Sequence, residues 1–305
     1  MSTDDDVVAG TLQEVMDALE AVVDRFLQDA SRLGYFAALY RTVTSKVAQG
    51  IAEGFFDDGE RMQRLGVSFA NRYLTALHAL RTGGRPSRSW QAAFDAASRP
   101  APIVLQHLLL AVNAHINLDL GIAAAEVAPG DTLPALRRDF DRINETLASM
   151  LRQVQRQIGE ISPWVGLLDL LGGSHDDEIV RFSVEVARTQ AWRFAVELAP
   201  LARDDWSGPI GARDATVARL ARVLLRPGLL TVGLWGVRAR ESRDVRRNIR
   251  VLSRVQPPIW QSWTRACARN RHAINDPRRS RPPVAAVPPG ALWWSAADPL
   301  GTTGS

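Results

Sequence analysis

His115 and Asp119 stand four residues apart in a stretch, residues 100–125, where Asp119 is the one charged residue. A carboxylate and an imidazole set in so apolar a run have to be hydrogen-bonded, paired or metal-bound, because burying either alone is strongly unfavourable. At about 100° per residue, a helix places His115, Asp119, Ile122 and Glu126 within about 60° of one another. Side chains at i and i+4 share a face, so His115 and Asp119 can bond each other, share a metal ion or work as an acid–base pair. Asn113 and Asn117 repeat that spacing on a different face, where they could position a substrate. His107 is the weaker candidate, turned about 80° from His115 on the same geometry.

The next helix offers a third carboxylate. Its apolar face reads Leu136, Phe140, Ile143, Leu147, Leu151 and Val154, with Asp139 and Asn144 on its two edges and Asp141 turned outward. The short link at Pro129 and Gly130 makes the two helices antiparallel neighbours, so Asp139 is expected beside His115 and Asp119. His115, Asp119, Asp139 and Glu126 would then form a donor set for zinc, iron or manganese. The paired Glu-x-x-His signature of a di-iron bundle is missing from the sequence. A hydrogen-bonded network tying helices together fits the same residues.

Two further patterns carry charge at helical spacing. Arg181, Glu185, Arg188 and Trp192 form a stripe that reads either as an ion-pair ladder with an arginine on an indole, or as Arg188 and Trp192 facing a pocket to bind an anionic group. Residues 229–255 read as one last helix, with arginines 238, 240, 243, 246, 247, 250 and 254 opposite Leu234, Val245, Ile249 and Leu252. That basic face is usually solvated, and it leaves room for peripheral contact with a membrane. His78 is expected in solvent, His175 in a surface cap and His272 in the tail.

These side chains need helices to hold them, and the chain reads as helix after helix. Apolar residues recur at three- and four-residue spacing over 12–26, 35–51, 61–80, 100–125, 134–160, 174–201 and 214–225, with short helices after Ser89 and over 164–171. Ser89 and Asp131 are read as N-caps, Pro134 as an early helical position, and Gly83 as a stop. No alternating strand pattern occurs. The expected fold class is all-α: about nine to ten helices in a bundle around a buried central helix. The domain reading is a helical body over 1–256 and an irregular tail over 257–305, which holds eight of the 17 prolines and four of the nine tryptophans.

With 305 residues, 46% of them hydrophobic, the chain can bury a large core. Its single cysteine, Cys267, excludes an internal disulfide and a cysteine-based zinc site. Of 37 basic residues only Lys46 is lysine, which points to biased codon usage rather than to a nucleic-acid partner. No phosphate loop, dinucleotide fingerprint, nucleophile elbow or nucleic-acid-binding motif occurs. The central stretch is long enough to cross a bilayer, but its aspartate, histidines and asparagines favour a buried helix over a membrane span. Residues 1–6 are acidic and lack a signal-peptide pattern, so a cytoplasmic location is expected.

The segments Leu105-Gln106-His107 and Asn113-Ala114-His115-Ile116-Asn117-Leu118-Asp119-Leu120 resemble the core motif of an uncharacterised family of bacterial helical proteins, known as a domain of unknown function. The resemblance extends to Phe36, Leu39-Tyr40, Gly54, Phe56-Asp57, Trp90, Asp139-Phe140, Ile143-Asn144, Arg188 and Trp192, and spans roughly residues 10–255. It implies that His115, Asn117, Asp119 and Asp139 belong together. The expected function is a helical enzyme, metal-dependent and hydrolytic, acting on a small molecule with an apolar part. In it His115, Asp119 and Asp139 serve as ligands or acid–base groups, with Asn117, Asn113, Arg188 and Trp192 toward substrate. The alternatives are a metal-free cyclase or binding protein for an apolar natural product, and a non-enzymatic protein that recruits a partner through its basic last helix and tail.

Overall fold

The amphipathic repeats become helices that wrap a single apolar rod. The computed structural model describes residues 8–163, 184–226 and 231–254. Before the rod come α1 (Leu12–Gln28), α2 (Gly34–Ala52), α3 (Gly59–Arg81) and α4 (Arg88–Ala97). The rod itself runs as α5 (Val104–Ala114), a π-helical stretch (His115–Leu120) and α6 (Gly121–Val127). After it come α7 (Leu133–Ile161), α8 (Val184–Leu198), α9 (Ser207–Leu225), α10 (Thr231–Arg240) and α11 (Val245–Leu252). Among the described residues every regular element is helical, and the fold class is all-α. The segments at 164–171 and 174–177, Arg181 and the tail at 257–305 lie outside the described residues.

The helices start and face inward for local reasons. In α1 the Thr11 hydroxyl accepts from the Glu14 amide, and Val15, Leu19, Val23 and Phe26 turn inward. Asp58 caps α3 through the Arg61 amide at 2.8 Å, and Gly83, at φ 74°, follows its end in a conformation glycine adopts freely.

The span Val104–Val127 is long and apolar enough to cross a membrane, yet most of it is buried inside the protein. Helices α2, α4 and α9 pack on α5, while α3 and α8 pack on α6. The contact with α8 is so close that a Cβ at Gly121 would lie 2.6 Å from the Ala191 carbonyl oxygen. Only glycine fits there.

Three local expectations are corrected. Ser87 caps α4, with its hydroxyl accepting from the Trp90 amide, while Ser89 lies buried inside the helix. Asp131 sits exposed in a 3₁₀ turn (Gly130–Thr132). Thr132 is already helical there (φ −83°, ψ −16°), so α7 lacks the extended entry residue that a side-chain cap requires. The single last helix is two, because the chain breaks over 241–244 and restarts behind Asp244, whose carboxylate takes the Arg247 amide. Much of its arginine face is engaged within the protein. Arg246 donates to the Leu27 and Gln28 carbonyls that end α1, Arg254 and Arg247 reach Glu160, and Arg238 donates to the Pro100 carbonyl.

Candidate functional site

The backbone changes its winding where the chemistry lies. A π-helical stretch takes one residue more per turn than the helices on either side and often marks a functional site. Here it covers His115 to Leu120, carrying His115, Asn117 and Asp119.

His115 and Asp119 are each only 2% exposed, and Nδ1 of the imidazole lies 3.4 Å from Oδ2 of the carboxylate. Two more donors converge on Asp119. The Trp90 indole N–H reaches Oδ2 at 2.8 Å, and Arg72 Nε reaches Oδ1 at 3.1 Å. Burial lowers the His115 pKa below the usual histidine value. The hydrogen bond and charge of Asp119 oppose that shift, and the Arg72 charge adds to it. A neutral imidazole that donates from Nδ1 to Asp119 keeps a lone pair on Nε2. That Nε2 is buried and has no hydrogen-bond partner.

Aromatic rings enclose the imidazole. Phe69 stacks on it at 3.6 Å between centroids and 8° between planes, and Tyr40 meets it edge-on at 4.5 Å. Phe36, Trp90 and Tyr73 complete the box at 5.5, 5.9 and 6.2 Å. Phe36, Tyr40, Tyr73 and Trp90 are buried, while Phe69 and Arg72 are half-buried. The wall is therefore thinnest on the α3 side. Outside it lies a cleft of about 520 Å³ whose lining includes Arg64, Ser68, Asn71, Arg72 and Glu126.

The remaining candidates divide. Glu126 does share the face of Asp119, but Arg72 joins them, with its Nη1 3.5 Å from Glu126. Ser68 and Arg203 also donate to Glu126, at 2.5 and 2.7 Å. Asn117 donates to Asn113 at 3.0 Å and Asn113 donates to the Val217 carbonyl, so this pair fastens the rod to α9.

Asp139 does not join His115. Its carboxylate, fully buried, accepts the Asp57 and Asp58 amides at 2.7 and 2.9 Å, with Arg61 and Arg142 each 3.5 Å away. Two backbone donors on the turn before α3 hold it there, and the π-helical stretch and α6 pack mainly on α3 and α8 rather than on α7. The four-residue donor set for a metal is not assembled: among the described residues no three His, Cys, Asp or Glu side chains converge on one point.

Arg188 is buried, but it donates from Nε to Asn144 at 2.6 Å and from Nη2 to the Phe140 carbonyl, and its guanidinium lies 4.5 Å over the Phe140 ring. Burial pushes its pKa down to about 10, against the pull of Asp141. Trp192 pairs with a different arginine, Arg137, at 4.8 Å, and the two line a separate cleft of about 810 Å³. Of the stripe read along α8, Arg188 faces inward and Glu185 is exposed, while Arg181 lies outside the described residues.

Sequence reasoning missed Arg72, Phe69 and the role of Trp90. A buried indole needs an acceptor, and that requirement was the available signal for Trp90. It also missed buried carboxylates that serve as caps from a distance. Asp214 accepts the Arg88 and Ser89 amides at the start of α4, and Glu241 accepts the Val104 amide at the start of α5. Asp139 does the same at the turn before α3.

Fold and site together define an all-α protein built around a buried His–Asp pair in an aromatic box. By its sequence the chain belongs to DUF5995, a family of unknown function, whose pattern matches residues 12–227. The match covers α1 to α9 and stops short of the 255 to which the resemblance in the sequence extended. No curated protein and no solved structure matches the chain.

Proposed function

We propose that this protein is a small-molecule enzyme in which His115 acts as a general base and Asp119 orients it. The observation that carries this reading is the unpartnered Nε2 of a buried, neutral imidazole whose other nitrogen faces a carboxylate. Leaving a buried acceptor unpaired costs about 1–3 kcal/mol, a penalty removed when a substrate hydroxyl or water donates to it. Asp119 holds the ring and stabilises the imidazolium formed when Nε2 takes that proton. The aromatic box suits the apolar part of a substrate, and the half-buried Phe69 and Arg72 are the side chains that would have to swing to admit it. Hydrolysis fits this arrangement, with His115 drawing a proton from the attacking water.

Rates on a panel of aryl and alicyclic esters test the reading. His115→Gln should lower kcat by about 10²- to 10⁴-fold, the range for removing a general base, and Asp119→Asn should flatten the pH profile. Undiminished turnover in His115→Gln would refute it. The box also supports a second reading, a non-catalytic receptor for an apolar molecule. In that case ligand affinity would persist in His115→Gln without any turnover in the parent protein.

A further inference from the structure

A second buried histidine, unused by the site above, lies against an open cleft. His107 in α5 is 6% exposed, and neither of its ring nitrogens makes a hydrogen bond. The cleft, about 430 Å³, is bounded by the start of α2, the turn into α5 and the break between α10 and α11. Three guanidinium groups line it together with His107: Arg32, Arg238 and Arg243.

Their bonds are few. The Arg32 contact to the Ala97 carbonyl is long, at 3.4 Å. Arg238 donates to Pro100 and stands 3.4 Å from Glu241. Among the described residues nothing pairs with Arg243, which is exposed. Glu241 is the one carboxylate on the lining, and it is already occupied by the Val104 amide, the Ser162 hydroxyl and Arg238. Three cations against one satisfied carboxylate leave the cleft positive, while Tyr35, Pro100 and Pro102 give it an apolar side. An imidazole whose approach to the Pro102 carbonyl falls short of hydrogen-bond geometry stands against that positive space.

We propose that this cleft is a binding site for a small oxyanion, a carboxylate or a phosphate, held by Arg32, Arg238 and Arg243, with the His107 N–H donating to one of its oxygens. The anion supplies a well-aligned acceptor for His107 and the counter-charge that Arg243 lacks. Guanidinium suits such a ligand because its fork matches the oxygen spacing of both groups. The assignment is independent of the role given to His115.

The test uses the full chain labelled with ¹⁵N at its histidines, at pH 7, with the His107 signals identified through His107→Asn. Inorganic phosphate and benzoate are titrated in, with potassium chloride at matched ionic strength as the control. Either oxyanion should shift the His107 signals saturably while chloride leaves them in place. Arg243→Gln and Arg32→Gln should each raise the apparent Kd at least tenfold. A response to phosphate alone or to benzoate alone assigns the class. His107→Leu should abolish the stabilisation by either anion while raising the melting temperature, since it removes an unpaired polar ring. The site is disproved if the signals do not saturate, if chloride reproduces the shift, or if neither arginine variant alters it.

Discussion

His115 is defined by an asymmetry between its two nitrogens. Nδ1 faces Asp119 at 3.4 Å, while Nε2 is enclosed by Phe69, Tyr40 and other rings with no partner. Burial lowers its pKa, so the ring stays neutral as the pH falls through the ordinary histidine range. Histidine ¹⁵N spectra recorded from pH 8 to pH 5, with the His115 signals identified through His115→Gln, should therefore show that this ring does not titrate near 6.5 and carries its proton on Nδ1. Trp90→Phe removes the indole donor to Asp119 and should shift that ring's resonances. A proton found on Nε2, or a normal titration curve, would remove the lone pair on which the proposed chemistry depends. The i, i+4 pairing of His115 with Asp119 was legible in the sequence because one helical turn separates them and both interrupt an apolar run. Arg72 and Phe69 were not, since they come from α3 and only the packing of α3 on the rod brings them near. Asp139 shows the converse limit: α7 follows the rod in the chain but touches it only lightly, and the two amides that capture its carboxylate belong to a turn distant in sequence.

Among the elements, the informative ones are the N-termini that borrow a carboxylate from elsewhere in the chain. A helix start has unpaired amides and a positive dipole end, so a buried acid placed there is doubly satisfied. Asp214, within α9, accepts the first two amides of α4 at 2.8 and 2.9 Å and is itself 8% exposed. Asp214→Ala should destabilise the fold by about 2–3 kcal/mol, the scale for stranding buried donors of a charged acceptor. Asp131→Ala, at an exposed acid with no capping bond, should stay within about 0.5 kcal/mol. Urea unfolding of the two variants measures the contrast, and equal effects would contradict the assignment of Asp214 as a cap. Local spacing can point to a cap such as Asp58, whose donor and acceptor lie within one turn. It misread Ser89 and Asp131, since the same residue types signal a cap whether or not the backbone enters the helix extended. Helix periodicity alone also missed the π-helical winding of the rod, at which Gly121 is pressed against α8 and Asp119 drawn toward α3 and α4.

At the scale of the whole molecule, the all-α class was readable because 3.6-residue periodicity runs through nearly the entire chain, whereas the order in which helices touch the rod was not. Enclosing so apolar a rod brings two histidines, His107 and His115, into the interior beside arginines, and this sets how stability responds to acid. The His107 pKa is lowered to about 4 by burial first, and then by the Arg32 and Arg238 charges, with the Pro102 carbonyl opposing. In the unfolded chain the same group titrates near 6.5, so between these values the unfolded state binds a proton that the folded state refuses. Its contribution is thus fully present above pH 6.5, falls as the pH drops toward 4, and changes no further below that. The Glu241 carboxyl, raised by burial, works in the opposite sense and favours the fold at the acid end. The His107 shift corresponds to about 3 kcal/mol at 1.36 kcal/mol per unit. Folding free energies of the parent protein and of His107→Leu, measured by urea unfolding at half-unit steps from pH 7.5 to 4.5, isolate the term from the titrating carboxylates common to both. The difference between the two curves should widen steadily below pH 6.5 in favour of the leucine variant. Parallel curves would mean that His107 takes up its proton in the folded protein as readily as in the unfolded chain, and so is not shut away from water as its position in α5 requires.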